Sequence, residues 1–202
     1  MRNLLLATAA TAILAGLASP AFAHYCRLDG LQVQDAKNNA DDADYTTQKI
    51  WQNQGGLSGL WFGTLQHQKG SNNADDSYGG VQKIGQKQFA VVWAGFGCPV
   101  QDQHARNWTN DYANNNDQMI YQSQKAFIGF AIGTAQEQDA ENEVKGNGDD
   151  NSQKIGQSQS LFAGSTHGTV QSQKAENEVD NGDNNTQSIN QSQHLVVIGG
   201  GV

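Results

Sequence analysis

Residues 153–159 of the chain have the sequence Gln-Lys-Ile-Gly-Gln-Ser-Gln. Its glutamines and its isoleucine are spaced by two or four residues, which fits the period of two of a β-strand. One face carries Gln153, Ile155, Gln157 and Gln159, and the other face carries lysine, glycine and serine. Spacings of two and four do not form a single helical stripe. The stretch therefore predicts a strand with one face of amides and isoleucine.

The pattern Q-x-I-x-Q-x-Q occurs five times, and successive copies start 34 to 36 residues apart. Its members are expected to occupy equivalent, inward-facing positions. They are Gln48, Ile50, Gln52, Gln54, Gln82, Ile84, Gln86, Gln88, Gln118, Ile120, Gln122, Gln124, Gln153, Ile155, Gln157, Gln159, Gln187, Ile189, Gln191 and Gln193.

A shorter motif, Q-x-Q, alternates with the long one and has the same period, with repeats starting near residues 32, 66, 101, 136 and 171. After the first copy at Gln32, its members are Gln66, Gln68, Gln101, Gln103, Gln136, Gln138, Gln171 and Gln173. The two motifs together account for all 25 glutamines of the chain. A fixed period of this length is typical of repeat architectures.

The repeats predict an all-β fold, a β-solenoid or cross-β stack of about five strand–turn–strand units of roughly 35 residues. Equivalent residues would then form ladders about 4.8 Å apart. A buried amide is costly unless it is paired, and in a ladder each glutamine can bond to the copies above and below. The two halves of each repeat differ, which favours one rung per repeat. Two rungs of about 17 residues per repeat are the alternative.

The composition narrows the classes of function. The chain has 202 residues, 20 acidic against 12 basic side chains, a net charge of −8, and only 37% hydrophobic residues. An acidic balance argues against nucleic acid and anionic lipid as partners. The apolar fraction is too low for a large conventional core.

Residues 1–23 are predicted to be a secretory signal peptide, and residues 24–202 the repeat domain. The basic Arg2, the apolar run from Leu4 to Leu17 and the Ala21-Phe22-Ala23 cleavage pattern support this. No later segment has the length and apolarity of a membrane span. In an oxidising compartment Cys26 and Cys98 either form a disulfide or remain two unpaired thiols.

An apolar stretch follows each long motif, with Leu57, Val91, Phe127, Phe162 and Val196 at equivalent positions. Neighbouring residues are often apolar too, and a strand that is apolar on both faces is usually buried on both. The favoured interpretation is core packing within the rung. The alternative is an exposed sticky stripe, to which Trp51, Trp61 and Trp93 would contribute.

Nothing in the sequence predicts an enzyme, a cofactor or a metal site. Its histidines (His24, His67, His104, His167 and His194) are scattered, without a nucleophile–base constellation or metal-ligand spacing. The Asp/Asn-rich turns offer oxygen ligands of the kind that calcium prefers, but the G-G-x-G-x-D repeat of calcium-binding β-rolls is missing. An ice-binding solenoid is disfavoured because its hydroxyl ladder is missing.

The chain resembles the curlin family, the subunits of curli-type functional amyloid. Curlin repeats place a small polar residue six positions before a glutamine, as do Asn116 and Gln122, Asn151 and Gln157, Asn185 and Gln191, and Ser165 and Gln171. The chain departs from that family in its longer period, its additional Q-x-Q glutamine, its Trp/Phe-bearing stretch and its two cysteines.

The resemblance implies secretion through the outer membrane, help from secretion and nucleation proteins, and nucleated polymerisation with other copies of the chain. A rung stack also has open strand edges that template strand addition. The expected function is therefore a subunit of extracellular, cell-surface fibres for biofilm or adhesion. A monomeric secreted β-solenoid adhesin, stabilised by calcium, is the alternative.

Overall fold

A computed structural model describes residues 28–41, 44–60, 63–75, 78–94, 99–110, 114–131, 133–146, 149–166, 168–180 and 182–199. The predicted signal peptide, Cys26, Cys98 and Trp61 lie outside these residues, as do His24 and His167. The expectations that concern them therefore remain predictions.

The described chain consists of strands joined by short turns. They are β1 (Leu28–Asp41), β2 (Thr47–Leu60), β3 (Gly63–Asp75), β4 (Val81–Ala94), β5 (Val100–Asn110), β6 (Asp117–Ala131), β7 (Thr134–Val144), β8 (Ser152–Thr166), β9 (Thr169–Val179) and β10 (Thr186–Val197). The described residues include no helix long and apolar enough to cross a membrane.

The strands form two parallel five-stranded sheets. The first sheet has the order β1-β3-β5-β7-β9 and the second has the order β10-β8-β6-β4-β2. Each strand pairs with the equivalent strand one repeat away, so that Gln82 lies opposite Gln48 and Gln118. One repeat therefore makes one rung with one strand in each sheet. This is the predicted β-solenoid, and the pairing rules out two rungs per repeat.

The core is a thin layer in which an isoleucine ladder faces an alanine ladder. Ile84 and Ile120 of the second sheet pack against Ala105 and Ala140 of the first. Gly70 occupies the alanine position on β3, where a Cβ atom would lie 2.9 Å from a methyl group of Ile84. Small residues on one sheet thus let the isoleucines of the other fill the gap, and large hydrophobic residues are not needed.

Burial confirms the predicted faces of the strands. On β6, burial alternates along the strand, and Gln118, Ile120, Gln122 and Gln124 are all buried. The outward residues between them are partly or fully exposed. The glutamines are therefore core residues, and the serines, lysines and glycines between them face outward.

The turns that lead from the first sheet to the second have one backbone feature in common among their described residues. A column of equivalent residues adopts positive φ, and its members are Tyr45, Gly79, Asn115, Asp150 and Asn184. Glycine, asparagine and aspartate tolerate this conformation best. One residue further on, the Asn151 side-chain oxygen accepts the Asn116 N–H at 2.9 Å, and Asn185 does the same for Asn151.

Replacing a central ladder glutamine is expected to be far more costly than replacing a terminal one. Gln124 is buried, donates to Gln88 Oε1 and to the Glu137 carbonyl, and accepts from Gln159. Gln124→Ala leaves those partners unpaired and opens a cavity, which should lower the free energy of unfolding by about 2–4 kcal/mol.

The matched control is Gln193→Ala, which removes the exposed β10 member of the same ladder. Its cost should stay below about 1 kcal/mol. Urea unfolding of the soluble chain measures both values. Equal losses for the two variants would contradict the buried-ladder assignment.

Candidate assembly interface

Each interior glutamine is bonded both along the stack and across it. Gln86 Nε2 donates to Gln52 Oε1 at 2.7 Å in the neighbouring rung and to the His104 carbonyl at 2.9 Å in the opposite sheet. Its own Oε1 accepts from Gln122 Nε2 at 2.9 Å. One side chain thus links its own strand, β4, to three other strands, and the desolvation of its amide is compensated.

The glutamine ladders all point the same way. In every described step, Nε2 of the later rung donates to Oε1 of the earlier rung, at 2.7–3.1 Å. The asparagine ladder, formed by Asn38, Asn72, Asn107, Asn142 and Asn177, points the other way. The two ends of the stack therefore present different amide atoms.

The two sheets are staggered by half a rung. Glutamines of β1 donate across the core to β2, as Gln34 does to the Asn53 carbonyl at 3.2 Å. Glutamines of β2 donate to β3, as Gln54 does to the His67 carbonyl at 2.9 Å. Along the stack axis, each strand thus lies between two strands of the opposite sheet, as expected of a coil that rises by one rung per turn. At the end of the stack, one sheet therefore extends half a rung beyond the other, and we call this offset the step.

Within the described residues, the glutamines of the last strand, β10, donate hydrogen bonds along the stack but not across the core. Gln187, Gln191 and Gln193 donate along their ladders to β8, at 2.7–3.1 Å. The structure describes no following strand to accept their second N–H across the core. Ile189 is 44% exposed, whereas Ile84 and Ile120 are fully buried. Within the part of the chain that the structure describes, the β10 end is therefore an unfinished core.

The structure brings together the ladder residues that the sequence predicts. The long-motif residues form four ladders in the second sheet, and the short-motif residues form two in the first, all in exact one-to-one register. The ladder members on β10 and Gln32 on β1 are exposed, and Gln34, Gln171 and Gln173 are half-buried. All other members, including those on the terminal strand β2, are buried. Sequence reasoning did not identify the alanine and asparagine ladders that face them, although Ala36 and Asn38 repeat with the same period.

Charged residues of the first sheet form columns on its outer face. In one column Asp35, Lys69, His104, Asp139 and Lys174 lie in register, and most neighbours differ in charge. In a parallel column Lys37, Ser71, Arg106, Glu141 and Glu176 lie in register. Arg106 Nε lies 3.3 Å from Glu141 Oε2. Cross-strand pairs of opposite charge favour this register.

The outer face of the second sheet carries an aromatic stripe, formed by the column Leu57, Val91, Phe127, Phe162 and Val196 together with Trp93. Leu57 is 81% exposed and Trp93 is 76% exposed. The rings of Phe127 and Phe162 stack with centroids 5.2 Å apart.

The expectation that this column packs in the core is therefore wrong. The intervening residues, such as Val92 and Ile128, do pack inside. The strand is apolar on both faces, but no described layer covers the outer one.

A third feature is a His–Asp cluster, formed by His67, Asp102 and His104 on the outer face of the first sheet. His67 Nδ1 lies 2.7 Å from Asp102 Oδ2, and His104 Nε2 lies 3.0 Å from Oδ1. His104 Nδ1 also lies 3.5 Å from Asp139 Oδ2. The sequence did not reveal this cluster, because its members come from adjacent rungs and the two that share a repeat position, His67 and Asp102, are chemically unlike.

The cluster perturbs its own protonation. Contact with the Asp102 carboxylate, followed by contact with Asp139, raises the pKa of His104 to about 10. Burial raises the pKa of Asp102, but the contacts with His104 and His67 outweigh it and lower that pKa overall. The contact with His104 also lowers the pKa of Asp139. At neutral pH the cluster therefore holds a protonated His104 between two carboxylates.

Comparison with known proteins identifies no relative of the chain. No protein family model, curated protein or solved structure matches it.

Stability is expected to fall as the pH rises from neutral, because of His104. Its pKa in the folded chain is raised above the unfolded value of 6.5 to about 10. The stabilisation is therefore complete below pH 6.5 and is lost as the pH rises towards 10. The side chain is more than a third exposed, so solvent screening limits the loss to about 1–2 kcal/mol.

Thermal unfolding of the soluble chain at pH 6, 8 and 10 measures this loss. The titratable groups that face His104 are Asp102, Asp139, His67 and Lys69, which pairs with His104 in register, with Glu137 beside them. His104→Gln keeps the polar shape but removes the titration, so its stability should decline less over the same range. Identical declines in both proteins would contradict the assignment.

Proposed function

We propose that the chain is a secreted structural subunit that assembles end to end with its own copies into extracellular, amyloid-like fibres. The observation that carries the proposal is the unfinished core at β10. Three inward glutamines and an isoleucine there have the partners of interior residues on one side only. A second copy, with its β1 and β2 stacked on β9 and β10, supplies the missing hydrogen-bond partners and covers the exposed isoleucine.

The ladder directions fit a head-to-tail joint. Gln171 and Gln173 end their ladders on Oε1 atoms, because their Nε2 atoms point back to β7. At the other end, the carboxamides of Gln32 and Gln34 each use one N–H across the core and keep a second one. Stacking β1 on β9 pairs donors with acceptors. Joining two β9 ends would pair acceptor with acceptor, and joining two β1 ends would pair donor with donor.

The asparagine ladder gives the same polarity independently. Asn177 accepts from Asn142 and so presents its amide nitrogen to the next rung, while Asn38 presents its oxygen at the first rung. Because this ladder runs opposite to the glutamine ladders, both sets are satisfied in the same head-to-tail register.

The joint also completes the bonds across the core. In interior rungs, glutamines equivalent to Gln187, Gln191 and Gln193 donate to carbonyls of the next strand, as Gln157 does to Lys174 at 2.8 Å. In an incoming copy the equivalent carbonyls belong to Asn39, Asp35 and Val33. The new β1 would therefore accept three hydrogen bonds from β10.

Outer-face charges favour the same register. Continuing the two charge columns places Asp35 of the incoming copy beside Lys174, and Lys37 beside Glu176. Both pairs are attractive. Leu57 of the incoming copy would likewise lie beside Val196, which extends the aromatic stripe along the fibre.

A curlin-like role accounts for this architecture together with the predicted signal peptide. The fibre would lie at the cell surface, contribute to biofilm matrix or attachment, and depend on outer-membrane secretion and nucleation proteins. The exposed aromatic stripe gives specific support to a second candidate, a monomeric secreted adhesin that uses this face to bind surfaces.

Charge reversal at the joint provides the test. Lys37→Glu places a glutamate beside Glu176 of the neighbouring copy, and Glu176→Lys places a lysine beside Lys37. Each variant alone should elongate seeded fibres several-fold more slowly, with a penalty of about 1 kcal/mol per joint. An equimolar mixture should recover the wild-type rate, because each variant then meets a complementary end of the other.

The control is Lys125→Glu, a matched charge reversal on the central rung, where the neighbours are Phe89 and Ser160. It should elongate at the wild-type rate. Dye-binding fluorescence and electron microscopy follow the growth. A failure of the mixture to outgrow the single variants would overturn this joint. A persistent β-rich monomer in all proteins would favour the adhesin.

A further inference from the structure

The His–Asp cluster has the composition and spacing of a metal site. The candidate ligand atoms of His67, Asp102 and His104 all lie within 4.8 Å of one another. His67 and Asp102 are directly paired across β3 and β5, and His104 lies two residues further along β5 on the same face. The rigid register of two parallel strands thus holds all three side chains together.

The carboxylate at the centre of the cluster is buried and incompletely bonded. Asp102 is 1% exposed although it occupies an outward-facing position. Its Oδ2 bonds to His67, but its Oδ1 has no hydrogen-bond partner among the described residues. His104 Nε2 lies 3.0 Å from that oxygen without hydrogen-bond geometry. Asp102 Oδ1 is therefore held only by the charge of His104 and keeps its lone pairs available to a bound metal ion.

Neighbouring carboxylates complete the environment of a metal ligand. His104 Nδ1 faces Asp139 Oδ2 at 3.5 Å, while its Nε2 faces Asp102. Metal-bound histidines usually donate their other ring N–H to a carboxylate, which fixes the ring orientation. Glu137 lies beside Asp102 in the next rung and adds negative charge.

We propose that His67, Asp102 and His104 bind one divalent transition-metal ion of the Zn²⁺ type, with Asp139 as the positioning residue for His104. Two imidazoles and one carboxylate suit Zn²⁺, with water in the fourth position. Ligand atoms around a tetrahedral ion lie about 3.3 Å apart, so small rotations of the side chains are sufficient. Binding releases one proton from His104 when that ring is protonated, since the neutral imidazole is the ligand.

This site is independent of fibre formation, because all its residues belong to the interior rungs of one chain. Zn²⁺ titration of the full-length soluble chain, followed by calorimetry, should give one ion per chain. Single His67→Gln and His104→Gln variants should each weaken binding at least about tenfold, and Asp139→Asn should weaken it by up to about tenfold. Titration with Co²⁺ should give the visible absorption of a four-coordinate nitrogen–oxygen site.

The control is His194→Gln, which removes an exposed histidine of β10 far from the cluster and should leave Zn²⁺ binding unchanged. Circular dichroism establishes that each variant keeps its β-structure, and the two histidine variants change partly exposed side chains. The variants leave His24, His167 and both cysteines untouched. Equal Zn²⁺ affinity in wild type and both cluster variants would place any binding elsewhere, and an absence of Zn²⁺ binding to the wild type would overturn the proposal.

Discussion

A buried carboxamide must find partners for two N–H donors and one oxygen, and this requirement determines how the rungs stack. Ladder stacking meets this demand along the axis, and the carbonyls of the opposite sheet meet it across the axis. Both conditions hold only when each rung repeats the previous one in register. A shift by one residue would move every glutamine to the outer face. The amides therefore specify the register as well as stabilising it.

Because the amides specify the register, the outer faces of the solenoid are free to vary. The core needs only an isoleucine ladder and small residues opposite it, so its hydrophobic content can be low. The outer faces carry charge columns, an aromatic stripe and the His–Asp cluster, which differ from rung to rung. Structural repetition inside and chemical diversity outside allow local sites to be added without disturbing the stack.

The sequence predicts the interior well because the interior is periodic. The Q-x-I-x-Q-x-Q and Q-x-Q motifs mark equivalent positions directly, so the strands, their faces and the ladders follow from spacing alone. The outward position of Phe127 was predicted wrongly, because apolar residues on both faces of a strand do not show whether another layer covers it.

The His–Asp cluster was not recognised for a different reason. His67 and Asp102 are 35 residues apart and chemically unlike, so a search for identical residues at the repeat period does not connect them. An alignment of the repeats that compares unlike residues at the same position places His67 and Asp102 side by side in adjacent rungs. The half-rung stagger has no counterpart in the sequence, because it arises from the rise of the coil.

The stagger gives the end of the stack the geometry of a kink site on a growing crystal. A flat terminal rung would offer an arriving chain one edge, and each new layer would need its own nucleation. The step formed by β9 and β10 exposes the edge of β9 and the inward face of β10. An arriving β1 can therefore pair with β9 and pack against β10 at the same time. In the proposed fibre each added copy recreates the same step. Each fibre end would then elongate at a rate that does not depend on the length of the fibre. Folding of the first copy that presents such an offset has no template, and it would be the rate-limiting event.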